Sequence, residues 1–463
     1  MAKPFRVTFI HPCVGRHLGM TAYIRTWLME PLPVATLAAL LPGDVSARFY
    51  DDRLESIPFD QPTDLVCISV ETYTAKRAYQ IASSYRVRGV PVVMGGYHAT
   101  LCPDEVRQYC ETLVLGEAES VFAELVDDYR HSTAKPLYRA MGSTPHIIPD
   151  RAIYRDKKYL PLHLIEFARG CRFRCDFCAV MSFHQSQHQH RPIDQVVAEI
   201  RAISPKRLIF FIDDNMTCNL EAAKEFMRAI RPLGIRWVSQ TAIHVAHDHE
   251  ALQLMRESGC QGVLVGLESL NPATLKTMHK GFNLMQGGAA TALENLRKAG
   301  LRVYGTFVFG YDGDSRSSIE ETVCFARQQG LFIAAFNHIT PFPGTPLYRR
   351  MVEERRLLYD AWWLDDRYRY NDIPFEPAQM SREELAHLCV EARTNFYSWP
   401  SILQRCKHRV QWQNPRMLFN YFMINWMHQR DISGRNGLPM GDMNWQGTIL
   451  KSDMAKELVH VAG

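Results

Sequence analysis

The sequence lacks any long run of like charge, and its 53 lysines and arginines nearly balance its 49 aspartates and glutamates. It therefore carries no electrostatic footprint of a general binder of nucleic acid or of anionic membranes. No apolar stretch is long enough for a transmembrane helix, so none is expected. The start, "MAKPFRVTFIHP", lacks the long apolar region and the cleavage site of a signal peptide. We therefore expect a cytoplasmic protein.

A disulfide framework is not expected either, because thiols stay reduced in the cytoplasm. Most of the 12 cysteines are scattered among apolar or small residues and are predicted to be small buried side chains. Three of them, Cys171, Cys175 and Cys178, form one tight cluster with the spacing C-x3-C-x2-C. Such a cluster in a reducing compartment indicates metal binding or catalysis.

The cluster lacks the second close cysteine pair that a structural zinc site usually has. A fourth zinc ligand could come from His184, His188 or His190, which follow in the stretch "FHQSQHQHR". That stretch is polar and more typical of a solvated loop leading into a helix near Pro192. Zinc is therefore the weaker hypothesis, and the three histidines are assigned no role.

The 463 residues are enough for two or three domains. Residues 1–130 alternate short β-branched runs with helical patterns, which predicts a Rossmann-like α/β domain with a doubly wound parallel sheet. Ligands of such sheets bind beyond the carboxyl ends of the strands. The candidate residues are therefore those at the predicted strand ends, at 11–15, 51–52, 69–72, 95–100 and 116–119.

Residues 131–160 are rich in proline, glycine, serine and charge, and they are predicted to be a linker. From 161 to 348, further strand-helix units predict a partial parallel (β/α)6 barrel with its chemistry at the carboxyl ends of the strands. Residues 349–463 are predicted to be helical and are strongly aromatic. This region is either a helical cap or a source of substrate-pocket aromatics, the candidates being Trp362, Trp363, Trp399, Trp412, Trp426 and Trp445.

Three thiolates on one loop suit three irons of a [4Fe-4S] cluster and leave the fourth iron without a protein ligand. The spacing, the strand before it, Phe177 before the last cysteine and the barrel pattern together resemble the radical S-adenosylmethionine superfamily. The resemblance implies that Cys171, Cys175 and Cys178 hold the cluster and that S-adenosylmethionine chelates the open iron. One electron, from a flavodoxin- or ferredoxin-type donor, would then yield a 5'-deoxyadenosyl radical. Phe177 would lie against the adenine.

Polar residues at three other predicted strand ends are candidates for binding S-adenosylmethionine: Asp213, Asp214, Asn215, Gln240 and Glu268. Carboxylates can accept hydrogen bonds from an ammonium group. In similar proteins the strand end that holds Asp213 lies by the methionine amino group. Relatives place a residue on the ribose hydroxyls where Glu268 stands. The alternative is the same for each candidate, namely a strand-end cap of a neighbouring helix.

The stretch "GGYHAT" at 95–100, with "SVETYT" before it and "GEAES" after it, resembles the cobalamin-binding domain that precedes many radical S-adenosylmethionine enzymes. The resemblance extends from Phe5 to Tyr348. It implies that cobalamin contacts the loops holding Ser69, Glu71, Thr72, Gly95, Gly96, His98, Thr100, Gly116 and Glu117. A cap of the following helix is the alternative role of His98. The D-x-H-x-x-G motif is absent, so no histidine is expected on cobalt, and some relatives keep this domain without cobalamin.

The resemblance thus implies a cobalamin-dependent radical S-adenosylmethionine enzyme. The expected reaction is transfer of a methyl group from methylcobalamin to an unactivated carbon of a small, lipid-like or natural-product substrate. One alternative is a radical cyclase or rearranging enzyme without methyl transfer. The other is a non-catalytic zinc- or cobalamin-binding sensor. No nucleic-acid partner is expected.

Overall fold

The computed structural model describes residues 4–20, 28–140, 147–203, 207–413, 415–432, 434 and 436–451. The chain divides into two compact units. The first unit comprises Met1–Leu160, Tyr359–Asp372 and Asn436–Gly463, and the second comprises Pro161–Leu358 and Ile373–Arg435. In this division the predicted linker lies within the first unit, and the predicted C-terminal region is shared between both.

A parallel sheet forms the centre of the first unit. The elements of its N-terminal part are, in order, β1 (Arg6–His11), β2 (Gly15–Arg16), α1 (Leu32–Ala38), β3 (Ser46–Asp51), β4 (Leu65–Ser69), α2 (Ala75–Arg86), β5 (Val92–Gly95), α3 (Tyr97–Leu101), α4 (Pro103–Val106), β6 (Thr112–Leu115), α5 (Phe122–Arg130) and β7 (Leu137–Arg139). The sheet has six strands in the order β3-β1-β4-β5-β6-β7, and its neighbouring strands run parallel. The central strands are apolar runs, as strands covered on both faces must be. The predicted doubly wound parallel sheet is confirmed.

The strand order of this sheet reverses at β1, because β3 lies on one side of it and β4 on the other. In doubly wound sheets, ligands bind beyond the carboxyl ends of the strands at such a reversal. The candidate residues that follow β4, β5 and β6 lie at the same edge of the sheet, since the strands are parallel. This edge is where a cofactor of the first unit is expected.

The second unit is built on another parallel sheet. Its elements are, in order, β8 (Leu162–Ile165), β9 (Ala168–Gly170), α6 (Ala179–His184), β10 (His188–His190), α7 (Ile193–Ala202), β11 (Leu208–Phe211), α8 (Leu220–Ile230), β12 (Trp237–Thr241), α9 (His249–Glu257), β13 (Cys260–Glu268), α10 (Pro272–Thr277), α11 (Gly288–Lys298), β14 (Arg302–Phe309), α12 (Arg316–Gln328), β15 (Ile333–His338), α13 (Pro346–Glu353), α14 (Arg382–Phe396), α15 (Trp399–Cys406) and α16 (Pro415–Arg430). Six strands pair in the order β15-β14-β13-β12-β11-β8, all neighbours being parallel. With helices between consecutive strands, this order confirms the predicted partial barrel.

The strands of the partial barrel have two unlike faces. On the face covered by helices, Phe211 packs against Phe226 of α8 and Trp237 of β12 at ring distances of 5.3 and 5.6 Å. Burial of one such side chain contributes about 1.5–3 kcal/mol. On the other face the side chains are only half-buried, as for Phe210 and Val238, which are neighbours across β11 and β12. The second face is therefore the accessible one.

Two later segments belong to the first unit through contacts with residues much earlier in the chain. In Tyr359–Asp372, Trp362 packs on Tyr73 at 5.2 Å, and Trp363 Nε1 donates to both carboxylate oxygens of Glu105 at 3.1 and 3.0 Å. In the last described segment, β16 (Gly441–Asp442) pairs parallel with β2. Neither segment is helical, although the sequence pattern predicts helix throughout the C-terminal region. The prediction is wrong there because these residues are held by partners far earlier in the chain.

A group of four charged side chains, three of them buried, holds β16 against the rest of the first unit. Asp52 accepts hydrogen bonds from Arg77 Nε at 2.8 Å and from Arg16 Nη2 at 3.0 Å, and Arg16 Nη1 lies 3.0 Å from Asp442 Oδ2. Burial alone would raise the pKa of Asp52. The hydrogen bonds and charges of the two arginines outweigh it, so this pKa is held well below its usual range.

Candidate functional site

The three clustered cysteines lie on the loop between β9 and α6, beyond the carboxyl end of β8. Side chains that follow β11 hold the backbone leading into this loop. Asp213 Oδ1 accepts a hydrogen bond from Phe167 N at 2.8 Å, and Asp214 Oδ2 accepts one from Gly170 N at 2.8 Å. Both carboxylates, which are candidates for binding S-adenosylmethionine, thus brace the start of the cysteine loop.

The second carboxylate oxygen of Asp213 accepts no hydrogen bond from the described residues. The residue is only 1% exposed, and burial raises the pKa of its carboxyl well above the usual range, although the N–H groups of Ala168 and Phe167 oppose the shift. Its second oxygen, Oδ2, is buried without a hydrogen-bond partner among the described residues. A buried acceptor of this kind is costly until a ligand supplies a donor.

The first cysteine of the cluster is surrounded by hydrogen-bond donors. Asn215 Nδ2 donates to Cys171 Sγ at 3.5 Å, and the thiol of Cys218 also hydrogen-bonds with Cys171. The bond with Cys218 and the smaller effect of Asn215 hold the pKa of the Cys171 thiol below its usual range, although burial opposes this. Cys218 Sγ in turn accepts from Arg172 N at 3.2 Å. Sequence patterns place Cys218 among the scattered cysteines and miss its contact with Cys171. The one feature of the sequence that could have indicated this contact is the position of Cys218 shortly after Asn215.

A buried lysine lies beside the other two cysteines. Lys280 Nζ donates to Glu268 Oε1 at 2.6 Å, and both side chains are almost fully buried. Burial raises the pKa of Cys175 to about 12, and the charge of Lys280 opposes the shift. Lys280 acts on Cys178 in the same direction. Sequence reasoning predicted Glu268 but missed Lys280, because only the fold brings the lysine to the cysteines.

The backbone at Glu268 is in the left-handed region, with φ = 64°, and the pairing of β13 with β14 is irregular there. For a residue other than glycine this conformation costs about 1–3 kcal/mol and is typically kept at functional sites. A Cβ at Gly266 would lie 2.3 Å from Glu268 Oε1 and 2.6 Å from Lys280 Nζ. A side chain at position 266 would therefore displace Glu268 and Lys280 from the positions in which they make this contact.

Two residues between the cysteines tie the loop to the turn after β14. Asp176 Oδ1 accepts a hydrogen bond from the Tyr311 hydroxyl at 2.5 Å, and Asp176 O accepts one from Leu347 N at 3.0 Å. The ring of Phe177, predicted to face the adenine, lies edge-on to Tyr311 at 6.5 Å, with Lys280 Nζ 6.0 Å from its centre. The cysteine loop is thus held by residues that follow β13 and β14 as well as β11.

Gln240 completes this group of side chains, because its Nε2 donates to Asp214 O at 3.0 Å. Every residue predicted for the cluster or for S-adenosylmethionine therefore lies at or just beyond the carboxyl ends of β8, β11, β12 and β13. The donor set fits a [4Fe-4S] cluster: three thiols on one loop, a nearby ammonium, and hydrogen bonds to the Cys171 sulfur. Hydrogen bonds and charge around the sulfurs are what tune such clusters.

The histidines that follow the cysteines do not form the predicted loop. His184 ends α6, and His188 and His190 lie on β10, which pairs antiparallel with β9. The two strands approach closely at Gly170, where a Cβ would lie 2.1 Å from Gln187 O. Burial lowers the pKa of both His184 and His188 to about 4. Across the described ranges, no three His, Cys, Asp or Glu side chains are grouped closely enough to hold one metal ion.

In the first unit, the candidate cobalamin residues form one rim at the sheet edge. Gly96 has φ = 101°, and a Cβ there would lie 3.0 Å from Val70 O and 3.1 Å from Ser69 Oγ, so the ends of β4 and β5 approach each other only because glycine is present. Thr100 Oγ1 accepts a hydrogen bond from Gly116 N at 3.0 Å, which adds the end of β6. Three further candidates of this rim are at least partly exposed: Glu71, Gly95 and Glu117. A rim of small and polar residues fits the edge of a large ligand.

His98 is fully buried, and both of its ring nitrogens are engaged. Thr72 Oγ1 lies 3.2 Å from Nδ1, and Glu105 Oε1 lies 3.1 Å from Nε2. The ring of Trp363 meets that of His98 edge-on at 5.4 Å. This network supports a structural role of His98 behind the rim, and it agrees with the absence of a motif that would place histidine on cobalt.

Comparison with known proteins decides the family. The model of the radical SAM superfamily matches residues 165–326. The bacteriochlorophyllide d C-12(1)-methyltransferase of Chlorobaculum tepidum is 32% identical over 410 residues, spanning 85% of this chain and 88% of that protein. The chain belongs to the radical S-adenosylmethionine enzymes that carry a cobalamin-binding domain.

Another member, the bacteriochlorophyllide d C-8(2)-methyltransferase of the same organism, is 27% identical over 412 residues, or 84% of this chain and 89% of the relative. The solved structure of OxsB, a cobalamin-dependent S-adenosylmethionine radical enzyme with aqua-cobalamin bound, has the same fold with a TM-score of 0.64 at 15% identity, over 93% of this chain and 72% of OxsB. Membership in this family confirms the predicted enzyme class. The predicted cofactors, a [4Fe-4S] cluster, S-adenosylmethionine and cobalamin, are those of the family.

Proposed function

We propose that this family member transfers a methyl group to an unactivated carbon of an apolar, pigment-like or lipid-like substrate. The arrangement of the cysteine loop among the ends of four barrel strands is the observation that carries the radical chemistry. The two relatives that are methyltransferases on bacteriochlorophyllide d support the methyl transfer and the substrate class. When bound, the three cofactors supply the radical and the methyl group, and the protein supplies binding, orientation and electrostatics.

In this proposal, residues around the cysteines control how readily the cluster passes on its electron. Asn215 and Cys218 hydrogen-bond with the Cys171 sulfur, and Lys280 places a positive charge beside the other two cysteines. Hydrogen bonds to the sulfurs and nearby charge set the reduction potential of iron–sulfur clusters. A flavodoxin- or ferredoxin-type protein is the proposed electron donor.

The contacts also suggest how S-adenosylmethionine is oriented. Asp213 Oδ2, a buried acceptor without a partner in the described chain, is available to the methionine ammonium. Lys280 uses only Oε1 of Glu268, so the second oxygen of this carboxylate can accept from the ribose hydroxyls. Phe177 offers a ring face to the adenine. In the first unit, the rim around Gly96 and Ser69 is proposed to contact cobalamin.

The accessible face of the barrel strands supports an apolar substrate. Its half-buried side chains are mostly apolar or aromatic: Leu208, Phe210, Val238, Leu264, Tyr304 and Val308. Cross-strand pairing places them side by side, for example Leu264 next to Tyr304. Ligand pockets with this lining take apolar molecules and orient them by a few polar groups.

The test is anaerobic reconstitution with iron, sulfide, hydroxocobalamin and S-adenosylmethionine that carries a labelled methyl group, followed by incubation with a cell extract. We expect a labelled apolar product whose mass has increased by one carbon and two hydrogens. Formation of an unlabelled product that has lost hydrogens would refute methyl transfer and favour a radical cyclase.

The cysteine assignment is tested separately, by formation of 5'-deoxyadenosine. Replacing Cys171, Cys175 or Cys178 by alanine should abolish it, because each substitution removes one thiolate from the cluster. Cys324→Ala is the matched control, since Cys324 is exposed on α12 and should leave the reaction unchanged. Normal cleavage by the three loop variants would refute the site, and zinc without sulfide in the purified protein would favour a sensor.

A further inference from the structure

Helix α16 presents an apolar stripe that the chemistry of the site does not use. Phe419, Met423 and Trp426 are 64%, 36% and 41% exposed. Their spacing of four and three residues puts them on one face of the helix. On the opposite face, Tyr421 and Asn425 are fully buried. The helix thus buries polar and aromatic side chains on one face and exposes apolar ones on the other.

The preceding helix, α15, has a similar surface. Trp399 and Leu403, four residues apart, are 48% and 57% exposed, while Ile402 and Arg405 on the other side of the helix are buried. Trp412, between the two helices, is 45% exposed. Sequence patterns predict these tryptophans either in a cap or in a substrate pocket, and the structure places them at the surface of the second unit.

Buried hydrogen bonds fix both helices, so the stripe is not the result of a loosely packed end. Arg405 Nη2 donates to Asn425 Oδ1 at 2.9 Å, and Arg405 Nη1 donates to Leu331 O at 2.9 Å. The hydroxyl of Tyr421 donates to Ile402 O at 2.7 Å. The orientation of the exposed side chains therefore follows from the packing of the opposite faces.

The charge of this segment is one-sided. From Trp399 to Arg430 the sequence contains no aspartate or glutamate, and its basic residues are Arg405, Lys407, Arg409, Arg416 and Arg430. All of them except Arg405 are exposed, and the guanidinium of Arg430 lies 5.2 Å from the ring centre of Trp426. The balanced charge of the whole chain conceals this local asymmetry.

We propose that the outer surface of α15 and α16, defined by Trp399, Leu403, Trp412, Phe419, Met423 and Trp426, docks on an anionic lipid membrane. Between Trp399 and Arg430 these exposed aromatic and apolar side chains have basic and no acidic residues beside them in the sequence, and the first acidic residue is Asp431, 3.5 Å from Arg430 Nε. Such a composition is typical of helices that lie in the membrane interface, where tryptophan is enriched. None of the helices in the described part of the chain has the length and hydropathy needed to cross a bilayer. A second copy is disfavoured as the occupant, because it would bring two basic faces together.

Docking would bring the enzyme to the phase in which an apolar substrate partitions. This last step rests on the proposed function, whereas the docking itself does not. The two are distinguishable because vesicle binding is measured without turnover.

The test is flotation of the full chain with vesicles of phosphatidylcholine alone or of phosphatidylcholine with phosphatidylglycerol. We expect preferential binding to the anionic vesicles, weakened by salt. The double variant Phe419→Ser, Trp426→Ser should lower the affinity at least about tenfold, since it removes the apolar contact. Arg416→Gln with Arg430→Gln should lower it roughly tenfold on anionic vesicles only. Val352→Ser, which changes an apolar residue 50% exposed on α13, is the matched control and should bind as the wild type does.

Fluorescence quenching by brominated lipids supplies a second readout. Exposed tryptophans of the stripe should be quenched on anionic vesicles, and the Trp426→Phe variant should lose part of that quenching, while thermal melting and iron content stay unchanged. The proposal would be overturned if the wild-type protein did not bind the vesicles. It would also be overturned if the stripe variants bound them with the affinity of the wild type. A wild-type dimer that the Phe419→Ser, Trp426→Ser variant dissociates would overturn it as well, since the stripe would then belong to a second copy.

Discussion

Replacing Tyr311 by phenylalanine tests how the cysteine loop is held in place. The Tyr311 hydroxyl donates to Asp176 Oδ1 at 2.5 Å, and both side chains are buried. The substitution keeps the ring and its contact with Phe177, and it removes only this hydrogen bond. Arg350 Nη2 lies 3.9 Å from Oδ2 of this carboxylate, too far to replace the lost bond.

The size of the effect follows from the burial of this pair. A hydrogen bond to a charged group contributes about 1.5–3 kcal/mol, and a buried carboxylate left without it carries an uncompensated desolvation cost. About 1.4 kcal/mol corresponds to a factor of ten in an equilibrium constant. Opening of the cysteine loop should therefore become roughly ten- to a hundredfold more favourable in Tyr311→Phe.

The measurement is the rate at which a ferrous chelator removes iron from the anaerobically reconstituted protein, because the loop must open to release the cluster. Tyr397→Phe is the matched control: its hydroxyl donates to Ala334 O at 2.8 Å in the same unit and is buried, but it does not contact the cysteine loop. Both variants should unfold at lower temperature, and only Tyr311→Phe should release iron faster. Equal release by wild type and Tyr311→Phe, or equal acceleration in both variants, would refute this reasoning.

Other substitutions probe the buried charges and the cluster surroundings. Asp52→Asn should lower the free energy of unfolding by about 3–5 kcal/mol in chemical denaturation, because it removes the buried carboxylate between two buried arginines and leaves them, among the described residues, only Asp442 as a charged partner. Asp64→Asn, in a partly exposed pair, should lower it by about 0–1 kcal/mol. Since the folded-state pKa of Asp52 is lowered, its contribution is complete above the unfolded pKa of about 3.9 and is lost as the pH falls through the folded value. The difference between wild type and Asp52→Asn should therefore shrink in acid, and a constant difference would contradict the assignment. Cys218→Ala should lower the midpoint potential of the cluster in an EPR-monitored titration, with partial recovery in Cys218→Ser; identical potentials would show that the contact is idle. Lys280→Met should reduce iron content after reconstitution, as measured by metal analysis, and full iron content would exclude a role of its charge.

Local patterns predicted the parts of the fold and site that depend on neighbours in sequence. The spacing of Cys171, Cys175 and Cys178 is local, and so is the alternation of apolar runs with helical periodicity. Asp213 and Glu268 could be singled out because parallel strands bring their carboxyl ends to one edge. These patterns could not predict the hydrogen-bond partner of each side chain at that edge. Asp213, for example, accepts a hydrogen bond from Phe167 N and so holds the start of the cysteine loop.

Contacts between distant residues account for what was missed. Lys280 lies by the cysteine loop because the chain after α10 returns to Glu268 at the end of β13. Cys218 reaches Cys171 because β8 and β11 are paired. The polar histidine stretch became part of a helix and a strand, since backbone pairing of β10 with β9 outweighs its polar composition. Composition alone cannot show such pairings.

The sequence by itself determined the class of both sheets, the three thiols of the cluster and the strand ends where the cofactors are expected, because these depend on spacing and periodicity along the chain. Only the tertiary structure decided the neighbours that set the charge and hydrogen bonding of those thiols, the return of two later segments to the first unit, and the exposed face of α16. These depend on which distant surfaces pack together, and packing leaves no periodic trace in the sequence.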